Sequence, residues 1–349
     1  MRQRVQRGFL PGSLRVIPDE REFWTGRAKC RWRREIDAQP LSDVGAGGRL
    51  APMSADRAAS EKAAAVLAAD PDYIVLRRLP RAARYASGAA DGVKRALFVD
   101  VETTGLESRS DVIIQFCGVP FDYASATGEV QGVHPAITCY EDPGRPIPPF
   151  VVEKTGITDE MVAGQRLDEE SISAAVREAV LIIAHNAAFD RGFLDKRLPV
   201  FADKHWACSQ QDVPWASRVY DSSKLEFLLY KHARTFYEAH RADEDVYAGI
   251  HLLATPFQDG VIPMQLLLES ARRPMWRISA VGAPFDSKDA LKARSYRWNP
   301  QKSFWWREVP DAERADEVRW LEESVYKRPD AAPLVEKIDP RRRFANDRT

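Results

Sequence analysis

Cysteine is scarce. Four residues (Cys30, Cys117, Cys139, Cys208) are scattered over 349 positions, and none forms a Cys-x-x-Cys pair. That spacing argues against a zinc ribbon or a disulfide framework and fits a reducing, cytoplasmic setting. Long apolar runs are missing too. No stretch approaches the ~18 residues of a membrane span, and the Arg-rich N-terminus lacks a signal-peptide core, so no membrane partner is expected. Net charge is absent: 51 Lys and Arg cancel 51 Asp and Glu, so overall charge does not point to a polyanionic partner.

The cancellation hides a split. Residues 1–52 hold ten Arg and one Lys against six acids, and 272–308 holds nine basic residues against three acids. Residues 1–52 mix Arg with isolated aromatics (Phe9, Phe23, Trp24, Trp32) without sustained period. They are expected to be a disordered basic leader, because they bury little apolar surface, with Met53 as an alternative start; a basic nucleic-acid-binding arm is the competing reading. Residues 53–93 should form an N-terminal helix and connector. Ser54 would cap an Ala-rich helix ended by Asp70-Pro71, Tyr73–Leu76 would be a short strand, and Arg77 to Arg84 a solvated link.

The informative stretch begins at Ala96. The apolar run to Val99 suits a strand covered on both faces. Asp100 and Glu102 follow, two apart and so on one face. Adjacent carboxylates repel unless they are protonated or share cations, so the pair reads as half of a divalent-metal site. A second buried strand, Val180–Ala184, leads into His185-Asn186-Ala187-Ala188-Phe189-Asp190. Further on, His240-Arg241-Ala242-Asp243-Glu244-Asp245 opens a stripe of Val246, Ile250 and Leu253 with helical spacing.

These three motifs, in this order, resemble those of the DnaQ-like (DEDDh) 3′→5′ exonucleases, a family whose bacterial members include the epsilon proofreading subunit of DNA polymerase III. The resemblance covers about residues 95–255. It implies an α/β fold, a ribonuclease H-like mixed β-sheet flanked by helices, over residues 94–257. It implies two divalent ions, Mg²⁺ or Mn²⁺, held by Asp100, Glu102, Asp190 and Asp245. Asp100 would bridge both ions, Glu102 and Asp245 would support the ion carrying the nucleophilic water, and Asp190 would act through water. An all-carboxylate set suits hard cations and disfavours zinc. His240, with an ordinary pKa near ~6.5, would be the general base. Thr103, Gly105, Leu106, His185, Asn186 and Phe189 would line the pocket for the terminal nucleotide. Between the motifs, Thr158 should cap a short helix, Ser171–Val180 should be a helix, and Leu225, Leu228 and Leu229 should form a core stripe within 220–241, with Trp206 and Trp215 packed nearby.

Composition changes at Met275. Five of the nine Trp fall between Trp276 and Trp320. Residues 272–326 should form a small basic α+β module: a strand from Trp276, a short helix capped by Ser287, two strands around Trp298 and Trp305, and a helix over Asp311–Tyr326. Lys288 to Trp298 resembles an appendage of a bacterial subgroup of the same family, with Ser295 where Gly is usual, which should loosen the turn there. Basic residues among aromatics suit single-stranded nucleic acid, while a core filled by Trp276, Trp298 and Trp305 is the competing reading. Residues 327–349 are expected to be a disordered tail. The expected function is 3′→5′ hydrolysis of phosphodiesters at single-stranded DNA 3′ ends, releasing nucleoside monophosphates. The alternatives are an exoribonuclease of the same fold and a non-catalytic polymerase-associated or nucleic-acid-binding subunit. The intact carboxylate set argues against the latter, and no polymerase motif is visible.

Overall fold

The computed structural model describes residues 15–18, 55–218, 220–238, 241–327 and 332–345. They belong to two compact units, Met1–Arg78 with Arg234–Phe236, and Leu79–Ala233 with Tyr237–Thr349. The chain therefore divides inside the expected connector, and the Trp-rich module shares a unit with the carboxylate-bearing sheet. No helix among the described residues is long and apolar enough to cross a membrane.

The first unit is a three-stranded sheet with one helix. Strand β1 (Arg15–Pro18) runs antiparallel to β2 (Tyr73–Arg78), which pairs in parallel with the short β9 (Thr235–Phe236). Helix α1 (Ala55–Ala68) packs on β2, and Arg77 of the strand ion-pairs with Glu61 of the helix. The expectation of a disordered leader fails at Arg15–Pro18, where the backbone finds ladder partners. The remainder of the leader, Ser54 and Met53 lie outside the described residues.

The second unit is built on a mixed sheet. Strand β3 (Val93–Thr103) is central. It pairs antiparallel with β4 (Ile113–Ala124) and parallel with β7 (Leu181–Ala184). Strands β5 (Val130–Val133) and β6 (Ile137–Tyr140) extend the β4 side, and β8 (Trp206–Cys208) extends the β7 side. The order β5-β4-β3-β7-β8, with helices on both faces, is the expected ribonuclease H-like arrangement. Alternation along β3 separates two cores. Ala96 and Phe98 face one that includes α7 (Ala242–Ala254) and α8 (Pro263–Arg272). Leu97, Val99 and Val101 face the other, with α4 (Glu169–Glu178) and α5 (Ala187–Arg197).

Several local expectations are corrected. Helix α4 starts before Ser171 because Asp168, not Ser171, takes the cap and accepts from the Ser171 amide. Thr158 does precede a short helix, α3 (Asp159–Val162), but its side chain makes no cap hydrogen bond. The stripe at Leu225, Leu228 and Leu229 is core, yet the regular helix α6 (Leu225–Leu228) passes into wide turns over Leu229–Ala233 and stops at β9. Trp215 joins that core, whereas Trp206 lies in the other one. The connector is not a solvated link: Leu79 is buried, Tyr85 and Ala86 donate to the Val130 carbonyl, and Arg81 ion-pairs with Asp243 and Glu244 while lying 4.3 Å over the Tyr247 ring.

The Trp-rich module is a second sheet, order β11-β12-β10-β13, with β10 (Met275–Ala280), β11 (Arg297–Asn299) and β12 (Phe304–Pro310). Helices α9 (Lys288–Ala293) and α10 (Asp311–Trp320) belong to it, and Leu321–Tyr326 prolongs α10 in wider turns. Ser287 sits at the start of α9 without capping it; its hydroxyl donates to Pro284 instead. At the other end Ser295 adopts φ 65°, with its amide on Lys292 O and that of Tyr296 on Leu291 O. The turn is thus as tight as glycine would make it, and serine bears the left-handed strain. The tail is not disordered where it is described. Strand β13 (Leu334–Lys337) completes the sheet against β10. Beyond it the buried Arg343 ion-pairs with Asp212 at 2.5 Å, and its carbonyl accepts from the buried Arg191.

Candidate metal and nuclease site

Strand β3 delivers Asp100 and Glu102 to the α7 side of the sheet, the face that Phe98 occupies two residues earlier. Helix α7 supplies Asp245 from its first turn. What lets it come so close is Gly249, one turn further on: a Cβ there would stand 2.7 Å from the Phe98 ring edge. The approach brings carboxylate oxygens of Asp100, Glu102 and Asp245 all within 4.8 Å of one another. Asp190, on the first turn of α5, is buried, and its Oδ1 accepts from the Val101 amide, between the two strand acids, at 3.2 Å. Three of the four acids named as ligands thus come together, and Asp190 is buried beside β3.

Their electrostatics fit a cation site. Burial and then the neighbouring acids Asp190, Asp245 and Glu102 hold the Asp100 carboxyl well above its ordinary value, with Lys154 opposing. Burial and Asp245 push Glu102 up to about 7, again against Lys154. Burial also raises Asp190, although its backbone hydrogen bonds act the other way. Such crowding is relieved by a multivalent cation, and oxygen donors alone suit Mg²⁺ or Mn²⁺.

Asp245 is fixed from two sides. Its Oδ1 accepts from the Tyr237 hydroxyl at 2.7 Å, and its Oδ2 accepts from the Arg241 amide at 3.1 Å. Sequence reasoning missed Tyr237, Gly249 and Lys154. The signals for the first two were their spacing: Tyr237 stands three before His240, and Gly249 four after Asp245. His240 itself lies outside the described residues.

The expected substrate residues divide. Leu106 is 77% exposed at the end of β3, free to meet a ligand. Thr103 is buried and donates to the Gly105 carbonyl, so it shapes the turn. Gly105 is needed for packing, not for a left-handed turn: an added Cβ would lie 2.7 Å from the Asp111 carboxyl carbon. His185 is committed internally. Its Nδ1 faces Ser209 Oγ and its Nε2 the Ser223 carbonyl, both at 2.9 Å, and burial lowers its pKa to about 4, so it stays neutral and orients the loop. Asn186, exposed at φ 69°, takes the left-handed backbone that asparagine tolerates at the start of α5. Phe189 is partly buried and stacks on Phe193 at 5.1 Å.

Residues 97–253 match the family model RNase_T, described as exonuclease. Asp100, Glu102, Asp190 and Asp245 all fall within the matched segment. The chain is 32% identical over 164 residues to a PolC-type DNA polymerase III of Clostridium perfringens and 30% identical over 168 residues to that of Bacillus subtilis. Each match covers 46% of this chain and 11% of the polymerase, so the chain spans about a tenth of these relatives. Among solved structures, exonuclease X in complex with 5′-overhanging duplex DNA is similar at 23% identity, a TM-score of 0.35, and 49% and 99% coverage of the two chains. An E. coli ExoI–ssDNA complex is similar at 18% identity, a TM-score of 0.42, and 66% and 71% coverage.

Proposed function

We propose that the protein is a metal-dependent 3′→5′ exonuclease that hydrolyses single-stranded DNA from its 3′ end and releases nucleoside monophosphates. The observation that supports this most is the convergence of Asp100, Glu102 and Asp245 within 4.8 Å, beside the buried Asp190. In this reading the four carboxylates hold two Mg²⁺ or Mn²⁺ ions, which when bound supply an activated water and neutralise charge on the attacking and leaving oxygens. The protein's own groups do the rest. Tyr237 and the Arg241 amide fix the Asp245 carboxylate, and Asp190 is fixed by the Val101 amide. His240, five residues before Asp245, accepts the proton of the attacking water near neutral pH. Leu106, exposed at the end of β3, meets the terminal base.

Digestion of 5′-labelled single-stranded DNA and matched RNA, with Mg²⁺ or with EDTA, tests this beside an Asp100→Ala control. The expected result is a ladder shortening from the 3′ end of DNA, lost in EDTA and in the variant. Absence of metal-dependent product from either polymer overturns the proposal, and faster digestion of RNA overturns its substrate.

A further inference from the structure

Most aromatic and basic residues of the Trp-rich module are used internally. Trp276 has Arg314 4.2 Å over its ring and donates to Asp311. Trp306 lies under Arg277 and Arg297, at 4.7 and 5.8 Å. Trp320 is covered by Arg294 at 4.5 Å, and Trp305 packs against the module's core. Arg277, Arg294, Arg307, Arg314 and Arg319 all have carboxylate partners. One contiguous stretch is different. Among the described residues, Lys288, Lys292 and Lys302 form no ion pair, and two acids that also form none, Asp286 and Asp289, lie among them; Arg297 forms none either but already lies over Trp306. Phe285 is 84% exposed, and Trp298, stacked on Trp305 at 5.4 Å, is 47% exposed on the edge strand β11. Lys288 and Lys292 are one turn apart on α9, whose Leu291 is buried, and Lys288 Nζ lies 5.9 Å from the Phe285 ring.

We propose that the outer face of α9 and the edge strand β11 form a second binding surface for single-stranded nucleic acid, separate from the nuclease site. Phosphates meet Lys288, Lys292 and Lys302, and bases stack on Trp298 and Phe285. Charge complementarity selects the occupant. Unpaired cations beside exposed rings match a flexible polyanion whose bases are free to stack, and such stacking is tolerant of sequence. A rigid duplex offers phosphates but hides its base faces. This deepens the nuclease reading by adding a hold on the polymer away from the cleaved end.

The test uses the full-length protein carrying Asp100→Ala, so that the ligand survives, and a fluorescein-labelled thymidine 20-mer in anisotropy titrations at several salt concentrations. Trp298→Ala should weaken binding about tenfold. The double variant Lys288→Glu, Lys292→Glu should weaken it at least as much and flatten the salt dependence by roughly 1.4 in log–log slope, the share of two phosphates on a single strand. In the otherwise native protein, these substitutions should leave hydrolysis of thymidine 5′-monophosphate p-nitrophenyl ester unchanged, since that ester reaches only the nuclease site. Wild-type affinity and slope in both variants overturns the proposal, as does a parallel loss of ester hydrolysis. Failure of the unsubstituted protein to cleave the ester counts against the nuclease reading alone, because the titration is independent of cleavage.

Discussion

Replacing Gly249 with alanine tests how the carboxylates are brought together. Asp245 and Gly249 are one turn apart on one face of α7, and Asp100 and Phe98 are neighbours on one face of β3. The contact of Gly249 on Phe98 therefore sets how closely the two candidate metal-binding acids approach. An alanine Cβ would overlap Phe98 Cζ and stand 2.7 Å from the two ring carbons beside it, where an ordinary carbon contact needs about 3.5 Å, so ring or helix must yield by more than about 1 Å. Phe98 is buried between α7 and the sheet and has little room to turn. Overpacking of this kind costs roughly 1–3 kcal/mol, and alanine returns about 1 kcal/mol through its better helix propensity. Stability should consequently fall by no more than about 2 kcal/mol. Activity should suffer far more, because a displacement of about 1 Å at a catalytic group lowers rates on the order of a hundredfold. The assay pairs urea denaturation with the initial rate of oligonucleotide digestion over a Mg²⁺ titration. A folded variant with wild-type rate and wild-type Mg²⁺ dependence would refute the reasoning, since it would mean that α7 approaches β3 for reasons unconnected with the site.

Three further outcomes are expected. In metal-free protein the folded Glu102 titrates near 7, above its ordinary 4.5, so the folded state binds the proton more tightly; stability is retained below pH 4.5 and falls by about 3 kcal/mol as pH rises to 7. Denaturation across this window, with Glu102→Gln for comparison, should show a flatter profile in the variant, and identical profiles would dismiss the assignment. Tyr237→Phe removes a donor to Asp245 but no carboxylate, so Mg²⁺ binding measured by calorimetry should weaken about tenfold while excess Mg²⁺ restores the rate; unchanged Mg²⁺ affinity would argue against it. Arg343→Ala leaves Asp212 buried without its cation and should cost about 3–5 kcal/mol in urea denaturation, and a loss below 1 kcal/mol would show the tail to be dispensable.

Legibility in the sequence followed the range of the interaction. Asp100 and Glu102 are recognisable because two residues of one strand carry their own geometry, and Asp190 and Asp245 because the motifs around them resemble those of a known family. What escaped was settled by partners distant in sequence. Gly105 resembles a turn glycine, yet it is required by Asp111, six residues on. His185 stands in a motif that suggests ligand contact, yet Ser209 and Ser223 occupy both its nitrogens. The tail looked like solvated basic sequence because the acid that receives Arg343 is 131 residues away.

That last contact links the carboxyl-terminal segment to the candidate site. Arg191 directly follows Asp190 on α5, is itself buried, and spends its guanidinium on Asp195, the Ala202 carbonyl and the Arg343 carbonyl. Arg343 in turn engages Asp212, whose carboxylate also takes the Cys208 amide of β8 and the Ser270 hydroxyl of α8. A single buried network thus joins the edge of the sheet, a helix from each face and the chain's last described turn. A low-dielectric network of this kind is costly where members go unsatisfied, and Arg343 Nη1 and Asp195 Oδ1 are already buried without a hydrogen-bond partner, so loss of a further member would leave its neighbours unpaired as well. The residue next to the proposed ligand Asp190 is therefore braced by the end of a module whose sequence alone suggests an independent appendage.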